Sequence, residues 1–324
     1  MKYRTLGNSN VAVSEIGLGC WQLGADWGTV DEHDALKILE NADEHGVNFF
    51  DTADVYGAGR SEQLIGKFLR QSRSTVFVAT KVGRQNYPGP YTQPLLRQHI
   101  TDCSKRLNVD ELDLVQLHCV PTDVMADGEI FEWLREFQQQ GLIRNFGASV
   151  ESMDEAALVV KQPGLTSLQV IFNLFRQKPL ESLFGECQSR GIGVIVRLPL
   201  ASGMLAGKFD AQTQFAENDH RNYNRNGDAF NVGETFAGLP FEKGLELVEQ
   251  IRPLVPTHLS MAQFAQRWIL DHEAVTTVIT GASRPEHVVD NASVSDLDAR
   301  PDSTHRELAS IYASSIQDHI RGVC

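Results

Sequence analysis

Short runs rich in β-branched and aromatic residues alternate along the chain with longer stretches whose apolar positions recur every three or four residues. The short runs predict strands at Glu15 to Leu18, Val47 to Asp51, Val76 to Thr80, Leu112 to Leu117, Ile143 to Ala148, Leu168 to Phe172, Gly193 to Leu198 and Val275 to Ile279. Between them the longer period predicts helices. The first runs from about Glu32 to His45, with Ala35, Ile38, Leu39 and Ala42 on one face. Others cover about Ser61 to Gln71, with Ser61 as N-cap, and Pro94 to Leu107. A fourth spans about Gly128 to Gln140 and stops at Gly141; Met153 to Lys161, Pro179 to Arg190 and Ser260 to Asp271 come next. A short helix begins near Pro285, and a last one covers about Ser303 to His319. Turn residues Leu6-Gly7-Asn8-Ser9 precede the first strand.

Repeated β-α units imply a parallel sheet, and eight of them in a chain of this length favour a closed (β/α)8 TIM barrel spanning 1–324 as one domain. A doubly wound dinucleotide fold is disfavoured, because no Gly-x-Gly-x-x-Gly follows any strand. Gly203 to Lys208 resembles a phosphate loop and fails as one, with three residues between its glycines and Phe209 in place of Ser or Thr. One segment breaks the rhythm: residues 209–241, after the seventh strand, are polar and without a period. A long irregular insertion of this kind reads as a mobile loop over a functional site.

Composition changes this picture little. At 42% hydrophobic and 22% charged the chain reads as an ordinary soluble globular protein. The formal charge of -13 argues against nucleic acid or an anionic membrane as partner. No stretch approaches the roughly 18 apolar residues of a spanning helix, and the N-terminus lacks a signal-peptide core. The five cysteines, Cys20, Cys103, Cys119, Cys187 and Cys324, include no Cys-x-x-Cys pair and read as reduced thiols in a cytoplasmic protein.

The chemistry concentrates at strand ends. Asp51, Lys81 and His118 close three successive apolar runs, and Tyr56 lies five residues beyond Asp51. In an α/β barrel these ends and the loops after them carry the active site, so the four side chains can converge. A carbonyl that receives hydride needs a proton donor for its oxygen. Tyrosine, with an ordinary pKa of about 10, becomes a better one beside an ammonium that lowers that value. An aspartate keeps a buried lysine charged, and a neutral histidine orients an oxygen without adding charge. Methionine in place of Lys81 is expected to abolish activity and spare the fold. Metal-dependent barrel chemistry would need several His and carboxylate clusters at strand ends, and only His118 is so placed.

With these residues in place, the chain resembles the aldo-keto reductases over almost its whole length. The resemblance rests on Gly17-Leu18-Gly19, Phe50-Asp51-Thr52-Ala53-Asp54-Val55-Tyr56-Gly57, Thr80-Lys81, Leu117-His118, Ile143 to Ser149, Pro199-Leu200 through Gly207-Lys208, and Gly281 to Val288. It implies a barrel that reduces carbonyls with NADPH, NADH being possible, and that needs no Rossmann motif. Asp51, Tyr56, Lys81 and His118 are then the catalytic set, with Tyr56 as general acid.

Cofactor contacts are implied at Gly19, Cys20, Trp21 and Asp51, and around the carboxamide at Ser149, Gln169 and Asn173. Arg197, Pro199, Leu200, Gly203 and Lys208 are implied as well. Gly281, Ala282, Ser283, Arg284, His287, Asp290 and Asn291 are implied as the adenosine-phosphate site, with Arg284 as its main cation. Trp21, Trp27, Tyr56, His118 and Cys119 are the implied substrate contacts. Three positions depart from the family pattern. Val150 stands where many members have Asn. Arg197 replaces a ring-stacking Tyr, which would repel oxidised nicotinamide and favour the reduced form. His287 replaces an Arg or Gln. The resemblance carries the oxidation of sugars or alcohols by the same residues as an alternative. A second alternative is a cofactor-binding regulatory role like that of potassium-channel β subunits, which share the barrel.

Overall fold

Eight parallel strands close on themselves in this computed structural model, which describes residues 1–24, 30–72 and 74–323. They are β3 (Ile16–Gly19), β4 (Phe49–Asp51), β5 (Phe77–Val82), β6 (Leu114–His118), β7 (Phe146–Ser149), β8 (Ser167–Ile171), β9 (Gly193–Arg197) and β10 (Val275–Gly281), and β10 pairs back onto β3. A two-stranded antiparallel hairpin, β1 (Tyr3–Thr5) and β2 (Ala12–Ser14), precedes them.

Alternation along each strand separates two apolar sets. Phe49, Phe77, Ala79, Leu114 and Ile195 pack inside the barrel with Leu6 and Val13 from the hairpin. Their neighbours Phe50, Val78, Val115, Leu117, Leu168 and Val194 pack outward against the helices. The inward phase also places polar groups. Asp51 shares a face with Phe49, and Lys81 with Ala79 and Phe77, so both polar side chains stand directly above the apolar plug. At the other end the hairpin closes the barrel. Gly7 there has φ +51, and a Cβ on it would come within 2.2 Å of the Thr166 carbonyl oxygen, so only glycine fits.

The helices are α1 (Glu32–Glu44), α2 (Arg60–Gln71), α3 (Gln93–Leu107), α4 (Thr122–Asp127), α5 (Glu129–Gln139), α6 (Met153–Val159), α7 (Leu183–Arg190), α8 (His220–Tyr223), α9 (Phe241–Ile251), α10 (Met261–Leu270), α11 (Pro285–Ala292) and α12 (Asp302–Ile311). Capping boxes start α6 at Ser152 and α10 at Ser260. Among the described residues, no helix is long and apolar enough to cross a membrane, and Cys20, Cys103, Cys119 and Cys187 are free thiols.

Several boundaries differ from expectation. Ser61 is not the cap of α2: Gly59, at φ 91, precedes Arg60, and the Ser61 hydroxyl is buried, donating to the Cys20 carbonyl at 2.9 Å. Tertiary contact has taken the side chain that a cap would use. Helices α4, α8 and α9 and the hairpin strands lie beyond the elements read from periodicity. The 209–241 loop is packed rather than featureless. Phe209, Phe215, Phe236 and Phe241 form one aromatic cluster, with the Arg221 guanidinium 4.5 Å from the Phe215 ring centre. Its anchors are irregularly spaced, so no period shows.

Candidate active site

Three of the four expected residues sit on adjacent strands. Asp51 ends β4, Lys81 lies in β5, and His118 ends β6. Tyr56 comes from the loop after β4. That loop is laid across the strand ends by the Thr52 amide, donating to the Ala79 carbonyl at 2.8 Å, and the Asp54 amide, donating to the Lys81 carbonyl at 3.1 Å. Its turn requires Gly57, where a Cβ would stand 2.3 Å from the Gly24 carbonyl oxygen at φ +59.

The four groups meet. Lys81 Nζ lies 2.5 Å from Asp51 Oδ1, 2.9 Å from the Thr52 carbonyl oxygen and 3.2 Å from the Tyr56 hydroxyl. The other oxygen of Asp51 accepts from Gln169 at 2.8 Å and from Gln116 at 3.3 Å. The His118 ring meets that of Tyr56 edge-on, with centres 5.9 Å apart. Burial works against the Lys81 ammonium, but Asp51 and Tyr56 outweigh it and raise its pKa. Burial also raises the pKa of Tyr56, and the lowering by Lys81 only partly offsets it. The expected net lowering of the phenol is therefore corrected: burial is the larger effect. Burial, followed by the charges of Arg84, Lys81 and Arg197, holds His118 well below the ordinary histidine value, so its ring is neutral. Its Nδ1 is buried without a hydrogen-bond partner.

These groups open on a cavity of about 420 Å³. Trp21 lines it, its ring stacked on Tyr56 at 5.9 Å between centres. Trp27 lies outside the described residues. Cys119 does not line the cavity; burial pushes its thiol up to about 12.

Of the expected cofactor contacts, Gly19, Cys20, Asp51, Ser149, Gln169 and Arg197 line the cavity, as do Pro199, Leu200 and Gly203. Gly281, Ser283 and His287 extend the lining to the start of α11. Lys208, Ala282, Arg284, Asp290 and Asn291 stand outside it. Arg284 is within 3.2 Å of His287 Nε2, and Asn291 donates to the Gly281 carbonyl at 3.4 Å. Asn173 donates to the Leu198 carbonyl at 2.9 Å. The lining forms a trough from Tyr56 to the start of α11, long enough to take an extended ligand. The partnerless Nδ1 of His118 and Nε of Arg197 are buried donors or acceptors at the Tyr56 end.

Sequence reasoning missed Arg84 and Glu234. Both line the cavity, and Glu234 Oε1 is 3.2 Å from Nη1 of Arg84 and 3.2 Å from Nη1 of Arg197. Burial opposes the Glu234 charge, yet the two guanidiniums hold its pKa down to about 2. No local signal marks the pair, since 150 residues separate Arg84 from Glu234. Cys119, Glu151 and Glu234 also bring one potential ligand atom each within 4.8 Å of one another. The two adjacent guanidiniums disfavour a cation there.

The profile of the aldo/keto reductase family matches residues 15–313. The oxidoreductase YqkF of Bacillus subtilis is 30% identical, over 98% of this chain and 98% of its own length. A probable voltage-gated potassium channel subunit beta of Oryza sativa subsp. japonica is 31% identical over 92% of each chain. Among solved structures, the holo form of an aldo-keto reductase from Bacillus halodurans superposes with a TM-score of 0.77 at 27% identity, covering 99% of this chain and 100% of that one.

Proposed function

The chain belongs to the aldo/keto reductase family, and from that premise we propose that it reduces an aldehyde, ketone or open-chain sugar carbonyl with NADPH, Tyr56 being the acid. Bound NADPH supplies the hydride. What carries the reading is the Lys81 ammonium, held between Asp51 and the Tyr56 hydroxyl at the open end of the barrel.

The ammonium has three protons and three acceptors: Asp51, the Thr52 carbonyl and Tyr56. The phenol oxygen therefore accepts from Lys81, and its own hydrogen is left to point into the cavity. Because burial keeps the phenol protonated at rest, Tyr56 has a proton to give when an alkoxide forms. The phenolate left behind faces the ammonium, which stabilises it. His118, neutral, can hydrogen-bond the same substrate oxygen without competing for that charge. Ser149 and Gln169 line the wall beside Asp51, where a carboxamide can be held. Ser283 and His287 lie at the far end, where a phosphate can be held.

Fluorescence titration with NADPH and with NADH, then a carbonyl panel run against Tyr56→Phe, tests this. Turnover that survives in Tyr56→Phe removes the acid assignment. The likeness to the rice channel subunit supports a second reading, a cofactor-binding regulatory subunit. Steady turnover of a carbonyl compound that is lost in Tyr56→Phe removes it.

A further inference from the structure

One wall of the cavity is cationic. Arg84 stands in the turn after β5, and Arg197 ends β9; both line the space that Tyr56 and His118 face. Arg84 also lies over the Phe230 ring at 5.4 Å, and Arg197 donates to the Val150 carbonyl at 3.1 Å. A single carboxylate oxygen, Glu234 Oε1, serves both guanidiniums, and the Glu234 side chain is only 5% exposed. Arg84 also reaches the Cys119 sulfur at 3.6 Å, a weak acceptor, so the two planar forks of five donors each stay short of strong acceptors. Arg197 Nε is buried and has no partner.

The charge count agrees. Burial, and then the neighbouring Glu234, push Glu151 up to about 7, so near neutrality it is only partly ionised. Lys81 and Asp51 cancel each other, and His118 is neutral. A positive surplus therefore sits beside the place where a carbonyl would react.

Building on the reductase reading, we propose that the cavity takes carbonyl compounds that carry a carboxylate. That carboxylate docks on Arg84 and Arg197 in the place held here by the Glu234 side chain. Glu234 is an internal stand-in for it. The exchange falls to the Glu234 side chain, since its backbone is held: Ser202 Oγ donates to the Glu234 carbonyl at 3.1 Å and accepts from the Phe236 amide at 3.3 Å.

The test compares 4-oxobutanoate with its methyl ester, which keeps the aldehyde and removes the charge. On the NADPH-dependent reaction, kcat/KM for the acid should exceed that for the ester by roughly 10- to 100-fold, the range expected of charge-assisted hydrogen bonds. Arg84→Gln should bring the ratio close to one. Arg84→Lys, which keeps the charge and loses the fork, should retain part of it and controls for misfolding. Glu234→Gln, which weakens the competitor, should lower the KM for the acid. Calorimetry on the NADP-loaded protein with butanoate and butanamide reads the same preference without turnover. Equal use of acid and ester, equal binding of butanoate and butanamide, or an unchanged ratio in Arg84→Gln overturns the proposal and leaves the reductase reading standing. Selective binding of butanoate with no turnover of any aldehyde would instead overturn the reductase reading and keep the carboxylate cradle.

Discussion

The hydroxyl of Tyr56 accepts a hydrogen bond from the ammonium of Lys81 at 3.2 Å, across 25 residues of sequence. Removing only that oxygen leaves Lys81 with Asp51 and the Thr52 carbonyl as partners, so the pair beneath stays in place. Tyr56→Phe should therefore keep the fold and NADPH binding while kcat falls by about 10²- to 10⁴-fold. Steady-state kinetics beside a fluorescence titration of NADPH separates the two.

Lys81→Met is a different kind of change. Sequence reasoning expects it to spare the fold, but Asp51 and Lys81 are each about 1% exposed. Methionine would leave the Asp51 carboxylate in the barrel with only the amides of Gln169 and Gln116. Stability should drop by roughly 3–5 kcal/mol, as for one half of a broken buried pair. Adding Asp51→Asn in the same chain should recover much of that loss. Urea unfolding of the single and double variants checks it.

Asp54, two residues before Tyr56, is 4% exposed, and its Oδ1 has no partner. Burial, then the charge of Glu62, push its pKa up to about 7 from an ordinary 3.8, against the pull of Arg106. A carboxyl whose folded value is raised binds protons more tightly in the native state. Its contribution is complete below the unfolded value and is lost as pH rises through the folded one. Between about pH 4 and pH 8 the protein should lose on the order of 3 kcal/mol from this group. Asp54→Asn should flatten that slope, seen as urea midpoints at pH 5 and pH 8 that lie closer together than in the parent.

Arg197 stands where the family resemblance expects a ring against nicotinamide, and its charge alone would disfavour the oxidised form. Glu234, 3.2 Å away, offsets that charge. Arg197→Tyr should then change the ratio of NADPH to NADP⁺ affinity by less than about threefold. Unmasking the guanidinium with Glu234→Gln should raise it roughly tenfold. Paired fluorescence titrations with the two oxidation states measure both ratios.

Asp51, Lys81 and His118 were legible in the sequence because each closes an apolar run whose alternation decides which side chains face inward. Tyr56 was legible through its spacing from Asp51. Arg84 and Glu234 were not, since each reads alone as an exposed charge, and only the chain crossing the barrel mouth joins them. Ser61 misled for a related reason: a serine before an apolar helix reads as a cap, yet its hydroxyl bonds Cys20, 41 residues away. Strands of three residues, such as β1 and β2, carry too little alternation to be seen. The aromatic anchors of the 209–241 loop show no period because they pack on one another rather than along a helix face.

The hairpin that seats Leu6 and Val13 beneath Phe49 and Phe77 acts as a stopper. With that end plugged, access is one-sided: a dinucleotide and a carbonyl compound would share the doorway above Tyr56. A small carbonyl compound arriving early would be shut in by the larger dinucleotide or would obstruct it, so productive visits have an order. If both enter there, the dinucleotide should bind before its guest and leave after it, an order that product-inhibition kinetics would read.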